Sequence, residues 1–509
     1  MKNKFKSPQF YIIPIALIYA GIYLYRMFTN NPWYDELYTY YSFISKGPVY
    51  AAIHWPLPNN HMGYSAISGF LSYLGNATIA LRGVSFVCAV CNIFLLYKLA
   101  AKLLNERLAY VAVFIYAGVF QVHNMAVQGR GYTLSTLCYL IAMNMLYKIC
   151  KETPKFIDYM CYTIAMIIGI WAVPTSTFWV IPVCFVGGVY LLFNKEYKKL
   201  IKLIVASLIA AAGSLLIYVL VWLAIGSNLL SKDPTSAYAG IYQLSIIKEH
   251  PLLSAQTGLD YMLASPYIQS MDRGVVVRGL FGYLDLLFEQ FYSLMGVPII
   301  VLFAVTFVVA LVRFIIDRTR LLEAFLWVSI IMLPIMLIVQ SVQPYLRVFC
   351  FFGVVLSFSI LMYVNMILNK LGKKPSKIGT IIIAVVGVLL IGILFTYKYR
   401  MPMADRENDI LEALNKMEAE GTKVDDIDSI YYTDDYQKYV IKFFFDDDPP
   451  ESVLGDASYV LVSDTLLDEN ISGIIWPMLT SNTAFDFDML YNNYDKLTET
   501  DKYIVYRKK

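Results

Sequence analysis

The chain has 509 residues, 58% of them hydrophobic and only 16% charged, with a mean hydropathy of +0.57. That apolar content is too high for an ordinary water-soluble enzyme and indicates a polytopic membrane protein. The net charge of +3 is small, and the basic residues are sorted by membrane side and not gathered in a patch, so no nucleic-acid partner is expected.

In chain order, Lys2, Lys4 and Lys6 precede an apolar run from Gln9 to Phe28 that is long enough to span. No small-residue cleavage site follows, so it reads as a retained first helix. The next stretch, Asn31 to Tyr64, carries adjacent carboxylates at Asp35 and Glu36, many aromatics, and a late cluster of Asn59, Asn60 and His61. A loop that only joined two spans would be shorter and blander, so this one reads as an active-site loop. The plainer alternative is that Asp35 and Glu36 open an amphipathic helix and offset its dipole. His61 to Leu74 reads as a half-apolar helix lying at the membrane interface.

Further spans are expected near Leu81–Leu104, Leu108–Val122, Tyr132–Leu146, Phe156–Val173, Phe178–Phe193 and Leu200–Ile225. After a second long loop, more follow near Val297–Ile316, Leu322–Gln340, Leu346–Leu368 and Ile378–Tyr397, about eleven crossings in all. Lysines and arginines fall in alternate connections (Lys98, Lys102 and Arg107; Lys148, Lys151 and Lys155; Lys195 to Lys199; Arg313 to Arg320; Lys370 to Lys377), which are therefore expected, with the N-terminus, to be cytoplasmic.

The expected organisation is a transmembrane domain over 1–398, with extracytoplasmic loops at 29–80 and 226–292, and a small extracytoplasmic α/β domain over 399–509. In the tail, a helix is expected at Asp409–Glu420 and strands at Ser429–Tyr432, Tyr439–Phe445 and Tyr459–Val462. Asp446, Asp447 and Asp448 precede Pro449 and Pro450 and read as a solvated turn. The tail is expected to govern acceptor access without supplying chemistry. Six of the seven cysteines lie within or at the ends of apolar segments, so no disulfide framework is expected, and the Cys88–Cys91 pair reads as buried helix surface.

Three arginines break the sorting of charge: Arg82, Arg130 in AVQGRGY, and Arg347 in QPYLRVF, all at the external rim. A guanidinium stays protonated and forks onto phosphate oxygens, so arginines at a lipid surface suit a lipid-linked phosphate. Snorkelling to headgroups, or a structural pair with Asp35 or Glu36, is the plainer alternative.

Together, WYDELYTY, PLPNNHMGYS, TIALRGVS, VQGRGYTLS and PYLRVF resemble the membrane-embedded glycosyltransferases of the GT-C class, nearest to glycosyltransferase family 39, the dolichyl-phosphate-mannose protein mannosyltransferase-like family. The resemblance covers the first third of the chain in order and spacing. It implies a GT-C-like fold that takes a sugar from a polyprenyl phosphate on the outer membrane face, with Asp35 as the catalytic carboxylate and Glu36 beside it. Arg82, Arg130 and Arg347 would bind the donor phosphate, and Asn60, His61 and Tyr132 the substrate. The chain departs from the family at Gln128, where many relatives have an acidic residue, and at Met62 and Gly63, which replace a usual Pro-Pro.

Chemistry agrees with that assignment. Polyprenyl phosphate already leaves readily, whereas an acceptor hydroxyl must lose a proton as it attacks, so one carboxylate base suffices. Adjacent carboxylates cannot face each other across a sugar, which favours inversion over a double displacement. No definite cofactor is implied; a divalent metal held by His61 with Glu36 or Asp35 is the open alternative. The implied partners are the donor lipid, a glycan, lipid or protein acceptor, and membrane lipids, in a bacterial plasma membrane. A transporter or flippase of lipid-linked saccharides is the rival reading, but the spans lack the internal repeat and mid-membrane charges it would need.

Overall fold

The computed structural model describes residues 12–54, 59–264, 270–370, 404–419, 430–445, 453–467 and 485–509. The chain divides into two compact units: Met1–Met27 with Ser42–Tyr399, and Phe28–Tyr41 with Arg400–Lys509. Through residue 370 the helices are α1 (Ile12–Thr29), α2 (Tyr34–Ser42), α3 (Pro48–Ile53), α4 (Met62–Leu71), α5 (Ala77–Leu103), α6 (Glu106–Gly118), α7 (Phe120–Met125), α8 (Tyr132–Lys151) and α9 (Phe156–Ala172). They continue with α10 (Thr177–Phe193), α11 (Tyr197–Lys232), α12 (Gln243–Glu249), α13 (Pro251–Leu263), α14 (Arg273–Glu289), α15 (Gly296–Ile316), α16 (Leu321–Gln340) and α17 (Phe352–Lys370).

Among the described residues, eight helices are long and apolar enough to cross a membrane: α1, α5, α8, α10 with the turn before it, α11, α15, α16 and α17. The expected crossings at Phe156–Val173 and Leu108–Val122 correspond to the shorter α9 and α6; Ile378–Tyr397 lies outside the described residues. The fold is thus that of a polytopic α-helical membrane protein with a small C-terminal α/β region. All seven cysteines are free.

Two stretches differ from their expected form. Residues 226–292 are largely helical: α11 runs on to Lys232, and α12, α13 and α14 follow. The α11–α13 contact needs two glycines, because a Cβ on Gly226 would stand 1.8 Å from the Ser254 carbonyl oxygen and one on Gly258 would stand 2.1 Å from that of Trp222. Helix α4, expected to lie at the interface, is instead buried at Met62–Ala66, Ser68 and Gly69. Its small residues admit this: a Cβ on Gly63 would meet Trp171 at 2.8 Å, and one on Gly69 would meet Pro48 at 2.7 Å.

The basic connections lie together at one end of the membrane unit. Lys102 pairs with Glu152 at 2.9 Å, Lys151 donates to the Thr319 carbonyl at 3.0 Å, and Asn194 donates to the Arg318 carbonyl at 2.8 Å. Lys148–Asp158 at 2.7 Å and Arg313–Glu323 at 3.0 Å belong to the same end. Because α8 has 20 residues and rises about 1.5 Å per residue, its start at Tyr132 is about 30 Å from this end.

In the second unit, α18 (Asp405–Ala419), β1 (Ile430–Tyr432), α19 (Asp435–Phe445), β2 (Tyr459–Ser463), α20 (Asp464–Leu467), α21 (Phe487–Asn493), β3 (Tyr494–Glu499) and β4 (Tyr503–Lys508) follow in order. The sheet order is β1-β2-β4-β3, with β1 and β2 parallel and the other pairs antiparallel. A parallel pair requires a crossover, and α19 supplies it, so Tyr439–Phe445 is helix and not the expected strand. Its β-branched and aromatic residues were misleading; Asp434 Oδ1 accepts from the Gln437 amide at 3.0 Å and starts the helix, and Gln437, Val440 and Ile441 are buried at helical spacing. Asp446–Asp448 lie outside the described residues.

Alternation along β2 and β4 divides the core between two faces. Val460, Val462 and Tyr506 pack with Leu466 and Leu490. Leu461, Tyr503 and Val505 pack with Ile410, Leu414, Val440 and Ile441, and with Leu37 from α2. Leu37 has no exposed surface. The α2 helix is therefore a component of this unit's core, although hundreds of residues separate it from the rest.

Candidate active site

A turn between α7 and α8 gathers a buried polar cluster in the membrane unit. The Gly129-Arg130-Gly131 sequence makes it tight: a Cβ on Gly129 would stand 2.5 Å from Leu81, and one on Gly131 would stand 2.6 Å from the Ala172 carbonyl oxygen. Ser85 secures the turn from α5, donating to the Gln128 carbonyl at 2.6 Å. The close approach at Gly131 brings its amide to His61, whose Nδ1 accepts that N–H at 2.8 Å.

That bond sets the rest of the geometry. With Nδ1 as acceptor, the proton of a neutral ring sits on Nε2. Burial holds His61 well below the usual imidazole range, and the charges of Arg130 and Arg347 lower it further, so the ring is neutral at physiological pH. Its Nε2–H then faces Arg130 Nη2 at 3.2 Å, donor to donor. Nη1 of the same guanidinium donates to Asn59 Oδ1. Arg130 is only 2% exposed, and donors so placed suit an anionic oxygen that can accept from both.

Two more residues close the cluster. Tyr132 stands edge-on to His61 with ring centroids 4.9 Å apart, and its hydroxyl accepts from Arg347 Nε at 3.1 Å. Arg347 also lies over the Tyr345 ring, 4.4 Å from its centroid. A guanidinium on an aromatic face keeps its charge while its orientation is restricted. His61, Arg130, Tyr132 and Arg347 thus meet, although they come from three separate stretches of sequence.

The other candidates are placed differently. Asn60 is fully buried, and its amide donates to the Ala51 carbonyl at 3.0 Å and to that of His54, holding the loop before α4. Arg82 Nη1 donates to the Met27 carbonyl at 2.9 Å. Asp35 and Glu36 belong to the second unit. There Glu36 Oε2 reaches back to the Trp33 amide at 3.4 Å, as an acidic third residue does when it caps its own helix. Asp35, one residue earlier and half-buried, acts on Tyr436, where burial and then the charges of Glu407 and Asp35 raise the phenol above its ordinary value.

His61 does not fit a metal site. One ring nitrogen is committed to Gly131 and the other faces a guanidinium, so a cation there would be repelled by two arginines. Among the described residues no group of three or more His, Cys, Asp or Glu side chains is arranged to hold a metal ion. Sequence reasoning missed the Gly131 amide and gave no role to Asn59. Both were within the motifs, but nothing local in the sequence says which atoms meet.

Residues 61–222 match the family model of dolichyl-phosphate-mannose-protein mannosyltransferases. The match begins at His61, takes in Arg82, Arg130 and Tyr132, and ends before Arg347. It is the family that the sequence motifs resemble. No curated protein matches the chain. Among solved structures, the Archaeoglobus fulgidus oligosaccharyltransferase in complex with zinc and sulfate aligns at a TM-score of 0.48 and 11% identity, over 97% of this chain and 73% of that one. The archaeal oligosaccharyltransferase AglB from Archaeoglobus fulgidus, in complex with an inhibitory peptide and a dolichol-phosphate, aligns at 0.46 and 10%, over 90% and 70%. Likeness at this level identifies no shared chemistry.

Proposed function

We propose that this integral membrane protein, a glycosyltransferase of the GT-C class, transfers a sugar with inversion from a polyprenyl phosphate to a glycan, lipid or protein acceptor. The observation that carries the reading is the convergence of His61 Nε2–H, the Arg130 guanidinium and Arg347 at one buried turn. In the reaction the acceptor oxygen bonds to the anomeric carbon as the bond from that carbon to the phosphate oxygen breaks. The electron pair leaves with the phosphate, which changes from a singly charged diester to a monoester bearing further charge. Fixed donors aimed at that charge stabilise the transition state more than the ground state. Asp35 takes the acceptor's proton, and Glu36 orders the helix that carries it. Neutral His61 donates a hydrogen bond without needing to ionise.

The cluster is about 30 Å along α8 from the basic connections. With those connections cytoplasmic by the positive-inside rule, the cluster faces the outer side, as it would in a bacterial plasma membrane with a cytoplasmic N-terminus. The first donor to test is dolichyl- or polyprenyl-phosphate mannose, by analogy with the matched family.

Purified protein in liposomes is given radiolabelled polyprenyl-phosphate mannose with and without a hydroxyl acceptor. Transfer, or slow release of free sugar, that disappears in Asp35→Asn and falls in Arg130→Lys supports the proposal. Movement of intact donor across the bilayer without cleavage would make the protein a flippase instead.

A further inference from the structure

The second unit buries a carboxyl group that the reaction just described does not use. Glu407, on α18, has no exposed surface, and neither of its oxygens has a hydrogen-bond partner. Its charged surroundings are mostly acidic. Glu36 from α2, fully buried, and Asp434 before α19 both act on it. Arg406, the adjacent cation, is committed elsewhere, to Asp464 at 2.9 Å and the Ser463 hydroxyl at 3.2 Å. Tyr503 from β4 donates its hydroxyl to Asp434 at 3.2 Å, and the ring of Tyr436 on α19 lies tilted against that of Tyr34 on α2 with centroids 4.4 Å apart. An ionised Glu407 in this pocket would add a third carboxylate to a buried group of two.

We propose that Glu407, in its protonated form, is a positioning residue that seats the Asp35-bearing helix α2 on the C-terminal domain, so that the seat weakens as Glu407 is called on to ionise. The geometry of that seat is extensive. Leu37 enters the core beside Ile410 and Leu414 of α18, Asn31 donates to Asn408 at 2.7 Å, and Tyr41 stacks on Tyr439 with ring centroids 5.8 Å apart. Glu407 lies on α18 between Asn408 and Arg406 and interacts with Glu36, the residue next to Asp35. In agreement, burial pushes the Glu407 carboxyl up from 4.5 to about 8, and Asp434 and Glu36 add to the rise. The amides of Tyr34 and Glu407 itself, outside hydrogen-bonding geometry, oppose it only in part.

The direction of the pH effect follows from linkage. A carboxyl that binds its proton more tightly when seated than when released makes seating strongest at low pH, where Glu407 is protonated in both states. Seating then weakens by up to about tenfold per pH unit to about pH 8, where the loss levels off. The inference rests on the proposed role of Asp35 only for its effect on transfer.

Hydrogen–deuterium exchange of residues 34–41 in the full-length protein, corrected for intrinsic rates, should show protection falling from pH 5 to pH 8 and then levelling. In Glu407→Gln the same protection should be flat, and Glu418→Gln, an exposed site on the same helix, should behave as wild type. Transfer by the wild type should decline between pH 5 and pH 8 and level beyond it, a limb that Glu407→Gln lacks. Flat protection in the wild type overturns the inference, even if the glutamine variant fails to fold. If protection responds as stated while transfer ignores it, the seat stands and the assignment of the base to Asp35 falls.

Discussion

Replacing Gly131 with alanine tests the turn that carries the basic cluster. The new Cβ would stand 2.6 Å from the Ala172 carbonyl oxygen and 2.7 Å from Val173, where ordinary contact begins at 3.4 Å. The obstructing oxygen is backbone at the end of α9 and cannot swing aside, so the turn must move by about 0.8 Å, at an overpacking cost of about 1–3 kcal/mol. A displacement of that size stretches the 2.8 Å bond from the Gly131 amide to His61 beyond hydrogen-bonding range. His61 then loses the bond that fixes its tautomer, and an orphaned buried acceptor costs about 1–3 kcal/mol, equivalent to a roughly 5- to 150-fold loss of donor affinity. The assay is donor affinity, measured by titrating polyprenyl-phosphate sugar into the purified variant, alongside its thermal unfolding. Donor affinity within twofold of wild type in a folded Gly131→Ala protein would refute the argument that this amide orders the site.

Other consequences can be measured in the same system. Arg130→Lys and Arg347→Lys keep the charge but lose the planar fork, and each should weaken donor binding about tenfold; equal affinity in variant and wild type would leave them as headgroup anchors. Asp35→Asn should abolish transfer while leaving donor affinity within a factor of about three, because the amide keeps the shape but cannot accept the proton; retained turnover removes Asp35 from the mechanism. Leu37→Ala should destabilise the C-terminal domain by about 2–5 kcal/mol, seen as early unfolding of that domain, since a fully buried core leucine is removed. For Glu407, the rise from 4.5 to about 8 at about 1.4 kcal/mol per pH unit amounts to about 5 kcal/mol of domain stability lost between those limits. Glu407→Gln should not show that loss in thermal melts across the same range.

Composition made the membrane class legible, because runs of apolar residues long enough to span have few other uses. The segments at α5, α8, α10 and α15 were placed within a few residues for that reason. Where helix and strand compete, local pattern was not enough. Residues 439–445 read as strand until the parallel pairing of β1 and β2 required a helix between them. Helix α4 read as interfacial, although Gly63 and Gly69 let most of it pack closely against Trp171 and Pro48. In the candidate site, residue types were legible and partners were not. His61 and Gly131 are 70 residues apart and Arg347 and Tyr132 are 215 apart, so only the folded chain says that they touch.

The place of α2 in the core of the C-terminal domain also bears on biosynthesis. Asn31 and Asn408, which bond in the finished protein, are 377 residues apart. At about 5–20 residues per second, a ribosome needs roughly 20–75 s to make the second after the first. During that interval Leu37 has no core to enter and the tyrosines of α2 have no ring partners from α19. The helix bearing the candidate base therefore cannot reach its final seat until the last segment of the chain has been made and folded. A nascent or prematurely terminated chain would hold its early spans in the bilayer without the packed seat for the helix that carries Asp35. On the proposed role of Asp35, such a chain would leave a donor lipid uncleaved.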